Sequence, residues 1–100
     1  MIVVAGSFPV DPTKVDAINE AVNTMRVATL DEDGCAEYRF GFATDDPKTL
    51  LIFEEWRDQD ALTKHFSAPH MAEFGAKVGT FVTGAPSVFR YDVTTKGPLR

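Results

Sequence analysis

LLIFEEWRDQDALTKHFSAPH, residues 50–70, decides how the chain folds. It opens on four apolar residues, Leu50–Phe53, continues through Glu54, Glu55 and Trp56, and changes period at Asp58. A strand this apolar, with no alternation over its first half, predicts cover on both faces. Asp58 stands where a helix N-cap belongs, because its carboxylate can accept from the first free amides of the turn that follows. Leu62, His65 and Phe66 then share one helical face at i, i+3 and i+4. Pro69 breaks that helix and restarts it in a new direction, since an interior proline loses a hydrogen bond and clashes with the preceding turn.

Outward from this stretch, Asp45, Asp46 and Pro47 make a turn, and the strand Thr49–Arg57 returns from it. Before the turn, Tyr38, Phe40 and Phe42 fall on one side of a period-two strand beginning at Cys35, with Glu37 and Arg39 on the other. Asp31–Gly34 reads as an acidic, solvated turn: three carboxylates in a row lack the spaced ligands of a calcium loop. Val15, Ile18, Val22, Met25 and Leu30 recur at helical spacing behind an Asp11 cap and a Pro12 first residue. Met1–Phe8 is a β-branched apolar run expected at the centre of its sheet. Downstream, Met71, Phe74, Val78, Phe81 and Val82 continue a helical stripe that ends before Gly84 and Pro86. Ser87–Thr94 is the last strand, and Thr95–Arg100 a short tail.

The order strand, helix, strand, strand, helix, strand predicts an α+β, ferredoxin-like βαββαβ domain with a four-stranded antiparallel sheet, one domain spanning residues 1–100. Helices on one face leave the other bare, and for Leu50–Phe53 the simplest cover is a second copy of the chain. A homodimer is expected.

Composition narrows the partners. A formal charge of −5 and a pI near 4.8 disfavour nucleic acid and anionic membranes, both of which need concentrated Lys and Arg. The single cysteine, Cys35, has no partner for an internal disulfide, Met1–Val10 lacks the pattern of a signal peptide, and the apolar runs are too short to span a bilayer. A soluble, cytoplasmic protein is expected.

No Walker loop, dinucleotide glycine fingerprint, nucleophile elbow or paired-cysteine motif is present. His65 and His70 are separated by a proline and share no helical face, so no metal site is expected. Cys35 reads as an inert, half-buried thiol. His65 carries two readings, a proton-transferring imidazole on an apolar face, or a buried anchor bonded to Glu54 or a backbone carbonyl. Trp56 is core packing or a pocket wall, and Tyr38 core or a hydrogen-bonding orienter. Glu54, between Ile52 and Trp56 on one strand face, is costly to bury alone and should meet Arg39, Tyr38 or His65. Hairpin register decides which, because a slip of one residue exchanges the faces.

Glu54, Trp56, the Asp58–Leu62 helix start and His65, with Gly34, Cys35 and Tyr38 upstream, resemble the pattern of antibiotic biosynthesis monooxygenase (ABM) domains. The resemblance in element order covers nearly the whole chain. It implies a dimeric α+β barrel, in which two sheets pair through their helix-free faces. It also implies oxygenation of a small aromatic substrate, a quinol or anthrone, by dioxygen with no metal, flavin or other cofactor. On that reading His65 is the base and Tyr38 the orienter, while Trp56, Glu54, Phe40, Phe66, Met71 and Phe74 bind substrate. Haem-degrading relatives carry an asparagine on the first strand, and Val4–Ser7 has none. The competing expectation is a non-enzymatic dimeric ligand-binding or stress-related domain with a structural histidine.

Overall fold

Burial along residues 46–56 sorts the apolar run into two sides: Leu50, Ile52, Glu54 and Trp56 are buried, whereas Leu51 and Phe53 are exposed. The computed structural model describes residues 1–100. Its strands are β1 (Ile2–Pro9), β2 (Cys35–Ala43), β3 (Asp46–Trp56) and β4 (Ser87–Asp92), and its helices α1 (Val15–Leu30), α2 (Gln59–Phe66) and α3 (Pro69–Val78). The strand order is β2-β3-β1-β4, antiparallel throughout, so β1 is central as expected.

The buried side of β3 rests under the helices in two joined clusters. One gathers Ile2, Met25, Tyr38, Ile52, Trp56, Ala61 and Leu62. The other gathers Val10, Ile18, Ala21, Val22, Leu50 and Phe81. Asp11 does cap, but it caps a short 3-10 turn, Pro12–Lys14, accepting from Thr13 N at 2.9 Å, and α1 starts only at Val15. The helical stripe expected through Val82 stops sooner: α3 ends at Val78, Phe81 is buried beyond it, and Val82 bridges Val10. β3 also starts earlier than Thr49, because Asp46 pairs with Ala43 and its carboxylate holds Lys48 N at 2.9 Å and Thr49 Oγ1 at 2.9 Å. No helix is long and apolar enough to cross a membrane.

Gly6 on β1 lets the backbone of β4 approach where a side chain would stand. A Cβ built there would lie 2.1 Å from Ser87 O and 2.6 Å from Val88 Cα, both backbone atoms of β4. Gly6→Ala therefore has to push β4 away from β1, and strain of this type costs roughly 1–3 kcal/mol. Urea unfolding should show the midpoint lowered with little change in slope; an unchanged midpoint would mean that β4 yields freely.

Candidate functional site

Between the sheet and the pair α2–α3 lies a cavity of about 360 Å³. Val4, Phe8 and Ile52 floor it, Leu62, Phe66, Met71 and Phe74 wall it, and Gln59 and Arg90 stand among its lining residues. Three polar side chains reach the same space: Tyr38, Glu54 and His65.

His65 arrives there because α2 starts where the sequence says it should. Asp58 Oδ1 accepts from Ala61 N at 2.9 Å, and seven residues after that cap the imidazole is carried under the sheet, 1% exposed. Its ring centroid is 4.8 Å from that of Trp56 and 5.5 Å from that of Tyr38. The anchor is neither Glu54 nor a backbone carbonyl. Nδ1 lies 2.7 Å from Glu32 Oε2, and His70 Nε2 lies 2.7 Å from the same oxygen.

Two expectations are corrected here. The Asp31–Gly34 turn is not wholly solvated, since Glu32 folds inward. The histidines do converge, because α2 and α3 are separate helices and the break at Pro69 swings both rings onto one carboxylate. The turn is held in place by its neighbours. Arg57 grips Asp33 through two bonds of 3.1 Å and donates its backbone N–H to Gly34 O at 2.8 Å. Gly34 has a φ of 88°, the left-handed region that suits glycine, and a Cβ there would sit 2.5 Å from Ala61 Cβ. The turn is thus docked against the first turn of α2 through Gly34, and Glu32 reaches His65 in the last turn of that helix.

Register settles Glu54. It opposes Tyr38 on β2 and Val4 on β1, while Arg39 opposes Phe53 on the other face. Trp56 Nε1 donates to Glu54 Oε1 at 2.8 Å. Burial pushes the Glu54 carboxyl up to about 7; the Trp56 hydrogen bond opposes this, and the Glu32 charge adds to it. Burial also holds the Tyr38 phenol above its ordinary range, with the Glu54 charge second, so it stays a neutral O–H donor. Burial, then nearby carboxylates, lifts Cys35 to about 11, which keeps it an unreactive thiol.

The remaining polar atoms of these three residues have no partner in the chain. His65 Nε2, Tyr38 Oη and Glu54 Oε2 make no intramolecular hydrogen bond, yet the sealed unpartnered side-chain atoms are Arg26 Nε and Thr29 Oγ1 alone. All three therefore keep some access, and the space that their residues share is the cavity. With Glu32 ionised, the hydrogen of a neutral His65 belongs on Nδ1, which leaves the Nε2 lone pair free. The arrangement can accept a proton at His65 Nε2 and donate a hydrogen bond from Tyr38 Oη, with a second from Glu54 when its carboxyl is protonated.

Trp56 and Phe40 do not line this space. Trp56 is fully buried behind His65 and orients Glu54, and Phe40 stacks edge-on against Tyr38 with centroids 5.4 Å apart. The sequence reading missed Glu32, Gln59 and Arg90. For the last two the period-two pattern offered a signal: Arg90 opposes Val4, which opposes Glu54, so all three share the helix-covered face.

Comparison with known proteins agrees with this architecture. Residues 1–77 match the family model described as antibiotic biosynthesis monooxygenase. An uncharacterised Synechocystis protein is 36% identical over 76 residues, which are 76% of this chain and 52% of that protein, so the chain spans about half the length of this relative. Rv0793 of Mycobacterium tuberculosis, provisionally named a monooxygenase, is 30% identical over 82 residues, covering 82% of this chain and 80% of that one. The structure of Rv0793 superposes with a TM-score of 0.86 at 27% identity, over 97% of this chain and 98% of the other. A Deinococcus radiodurans structure, provisionally described as an antibiotic biosynthesis monooxygenase, gives 0.88 at 18% identity over 100% and 99%, a likeness of fold.

Proposed function

The chain belongs to the antibiotic biosynthesis monooxygenase family, and on that premise we propose that it oxygenates a small quinol- or anthrone-like aromatic in the cavity beside His65, using dioxygen and no cofactor. The observation that carries this reading is the set of three polar atoms, one acceptor and two donors, turned into one apolar space. A volume of about 360 Å³ lies at the small end of ligand pockets, which suits a compact ring system.

Each group has a task. His65 Nε2 takes the acidic proton of the substrate, and Glu32 at Nδ1 steadies the imidazolium that results. Tyr38 Oη, and Glu54 when protonated, donate to the substrate oxygen on which negative charge collects. The apolar walls exclude water from the electron-rich anion. Dioxygen then reacts at carbon: for a methylene substrate the CH₂ becomes C=O, one oxygen atom enters the product, and the other leaves as water with the two hydrogens. Oxygen-electrode assays on a panel of anthrones and quinols, run after chelation, should find a substrate that consumes oxygen and yields a product with one labelled atom from ¹⁸O₂. Saturable binding of such compounds without uptake would favour the ligand-binding reading.

We further propose a homodimer formed through the helix-free face. Leu51, Phe53, Phe89 and Tyr91 are 43%, 40%, 59% and 52% exposed there, on β3 and β4, the strands that flank β1. A stable pairing buries roughly 1,600 Å² in total. Sedimentation at micromolar concentration should give twice the 11.0 kDa chain mass, and Phe53→Glu should shift it to monomer. A wild-type chain that sediments only as monomer rules the assembly out.

A further inference from the structure

Glu32, His65 and His70 form the second cluster of chemistry-bearing side chains, on the side of His65 away from the cavity. Their donor atoms lie within 4.8 Å of one another. They come from three segments, the turn before β2, the end of α2 and the start of α3, so the convergence is not a by-product of one helix. Glu32 has no Lys or Arg beside it: its ion-pair partners are His65 and His70, both at 2.7 Å from a single oxygen. A largely buried carboxylate needs a compensating positive charge, and neutral imidazoles do not supply one.

We propose that Glu32, His65 and His70 bind a divalent transition-metal ion, zinc or one of similar preference, and that the bound ion switches off the base of the neighbouring cavity. Two imidazoles and one carboxylate make a donor set suited to zinc, cobalt or nickel and poorly suited to magnesium or calcium. Three protein ligands leave a fourth position for water, and the 20% exposure of the His70 side chain, against 2% for His65, gives that position a way to solvent. Metal–donor lengths of roughly 2.0–2.2 Å in a tetrahedron require donor pairs to stand roughly 3.4 Å apart. The two 2.7 Å pairs must therefore open by well under an ångström, and the two imidazole nitrogens, within 4.8 Å of each other, must close toward the same roughly 3.4 Å spacing, a movement shared by the carboxylate on its turn and the partly exposed His70 ring.

The consequence for His65 follows from its two nitrogens. Without metal, Nδ1 carries the hydrogen toward Glu32, and Nε2 offers a lone pair to the cavity. A metal bound at Nδ1 takes the lone pair there, so the ring's single hydrogen leaves Nδ1 and is regained from solvent at Nε2, with no net proton released by the neutral ring. The imidazole then faces the cavity as a donor and no longer accepts a substrate proton. This second half rests on the proposed oxygenase reading; the metal site itself does not.

The test uses the untagged full chain, stripped with chelator, with cobalt(II) as a visible probe and zinc(II) as competitor. Expected is one saturable site with the ligand-field absorption of low-coordinate cobalt, displaced by zinc. Affinity should fall at least tenfold in Glu32→Gln and in His70→Ala, with circular dichroism unchanged. Nitrogen NMR of His65 should report hydrogen on Nδ1 without metal and on Nε2 with zinc. With a responsive substrate, zinc should inhibit the wild-type chain, whereas His70→Ala should keep its basal uptake and lose most of the inhibition. Absence of saturable cobalt binding, or binding that both variants leave intact, overturns the site. Binding without the tautomer change overturns the switch. The absorption and NMR readouts decide both even if no substrate turns over, so a failure of the oxygenase reading is distinguishable.

Discussion

In His65→Ala, oxygen uptake with a responsive anthrone or quinol should fall by about 10²- to 10⁴-fold, the range that a positioned general base supplies. The ring is the one group at the cavity that joins an unpartnered nitrogen to a carboxylate behind it, which stabilises the charge it gains. Tyr38 cannot replace it, because burial holds that phenol in its protonated form. The structural cost is separable from the chemical one. Removing the imidazole takes one of two donors from Glu32 Oε2, and His70 remains, so stability should fall by only about 1–3 kcal/mol. Thermal unfolding and uptake measured on the same preparation discriminate: a folded variant with unchanged turnover would reject the base and leave His65 as a structural residue of a binding domain.

How far the sequence carries the reader depends on how local each signal is. Period and caps are local, so the element order, the antiparallel four-stranded sheet and the Asp58 start of α2 were legible before any coordinates. The same holds for the apolar character of Leu50–Phe53. Glu54 was legible as a buried acid but not as a neighbour of Tyr38, because that depends on register across β2 and β3, where irregularities at both ends of the pairing shift the count. Glu32 was illegible for a different reason. In a run of three carboxylates each looks like its neighbours, and only the Arg57 grip on Asp33 and the left-handed Gly34 turn the middle one inward. His70 depended in turn on Glu32. A proline between two histidines argues against one helix face and says nothing about two helices meeting. Trp56 and Phe40 were correctly read as aromatic residues of the sheet's inner face, but which aromatics touch open space depends on how far α2 and α3 stand from the strands.

The stability of the folded chain should fall as pH rises from about 4.5 to about 7, and Glu54→Gln should abolish that fall. Glu54 is 6% exposed, with its carboxyl raised from 4.5 to about 7, chiefly by burial. An acid whose value is raised on folding prefers its protonated form in the native state. Its favourable effect is therefore complete below 4.5, where both states hold the proton, and is lost as pH passes through the native value, above which an ionised carboxylate sits in an apolar cavity wall. A shift of this size corresponds to a loss on the order of 3 kcal/mol across the window. Glutamine keeps the oxygen that accepts from Trp56 Nε1 and nearly the same volume, while removing the ionisation. The variant should match the parent near pH 4.5 and exceed it in urea midpoint at pH 8. Other groups largely cancel when the two proteins are compared at each pH. Asp11, Asp33, Asp46 and Asp58 have lowered values, through hydrogen bonds and nearby cations, and act below the window. Equal midpoints for parent and variant at pH 8 would mean that the Glu54 carboxylate is solvated through the cavity mouth, and that it does not enter the pocket as a neutral donor near pH 7.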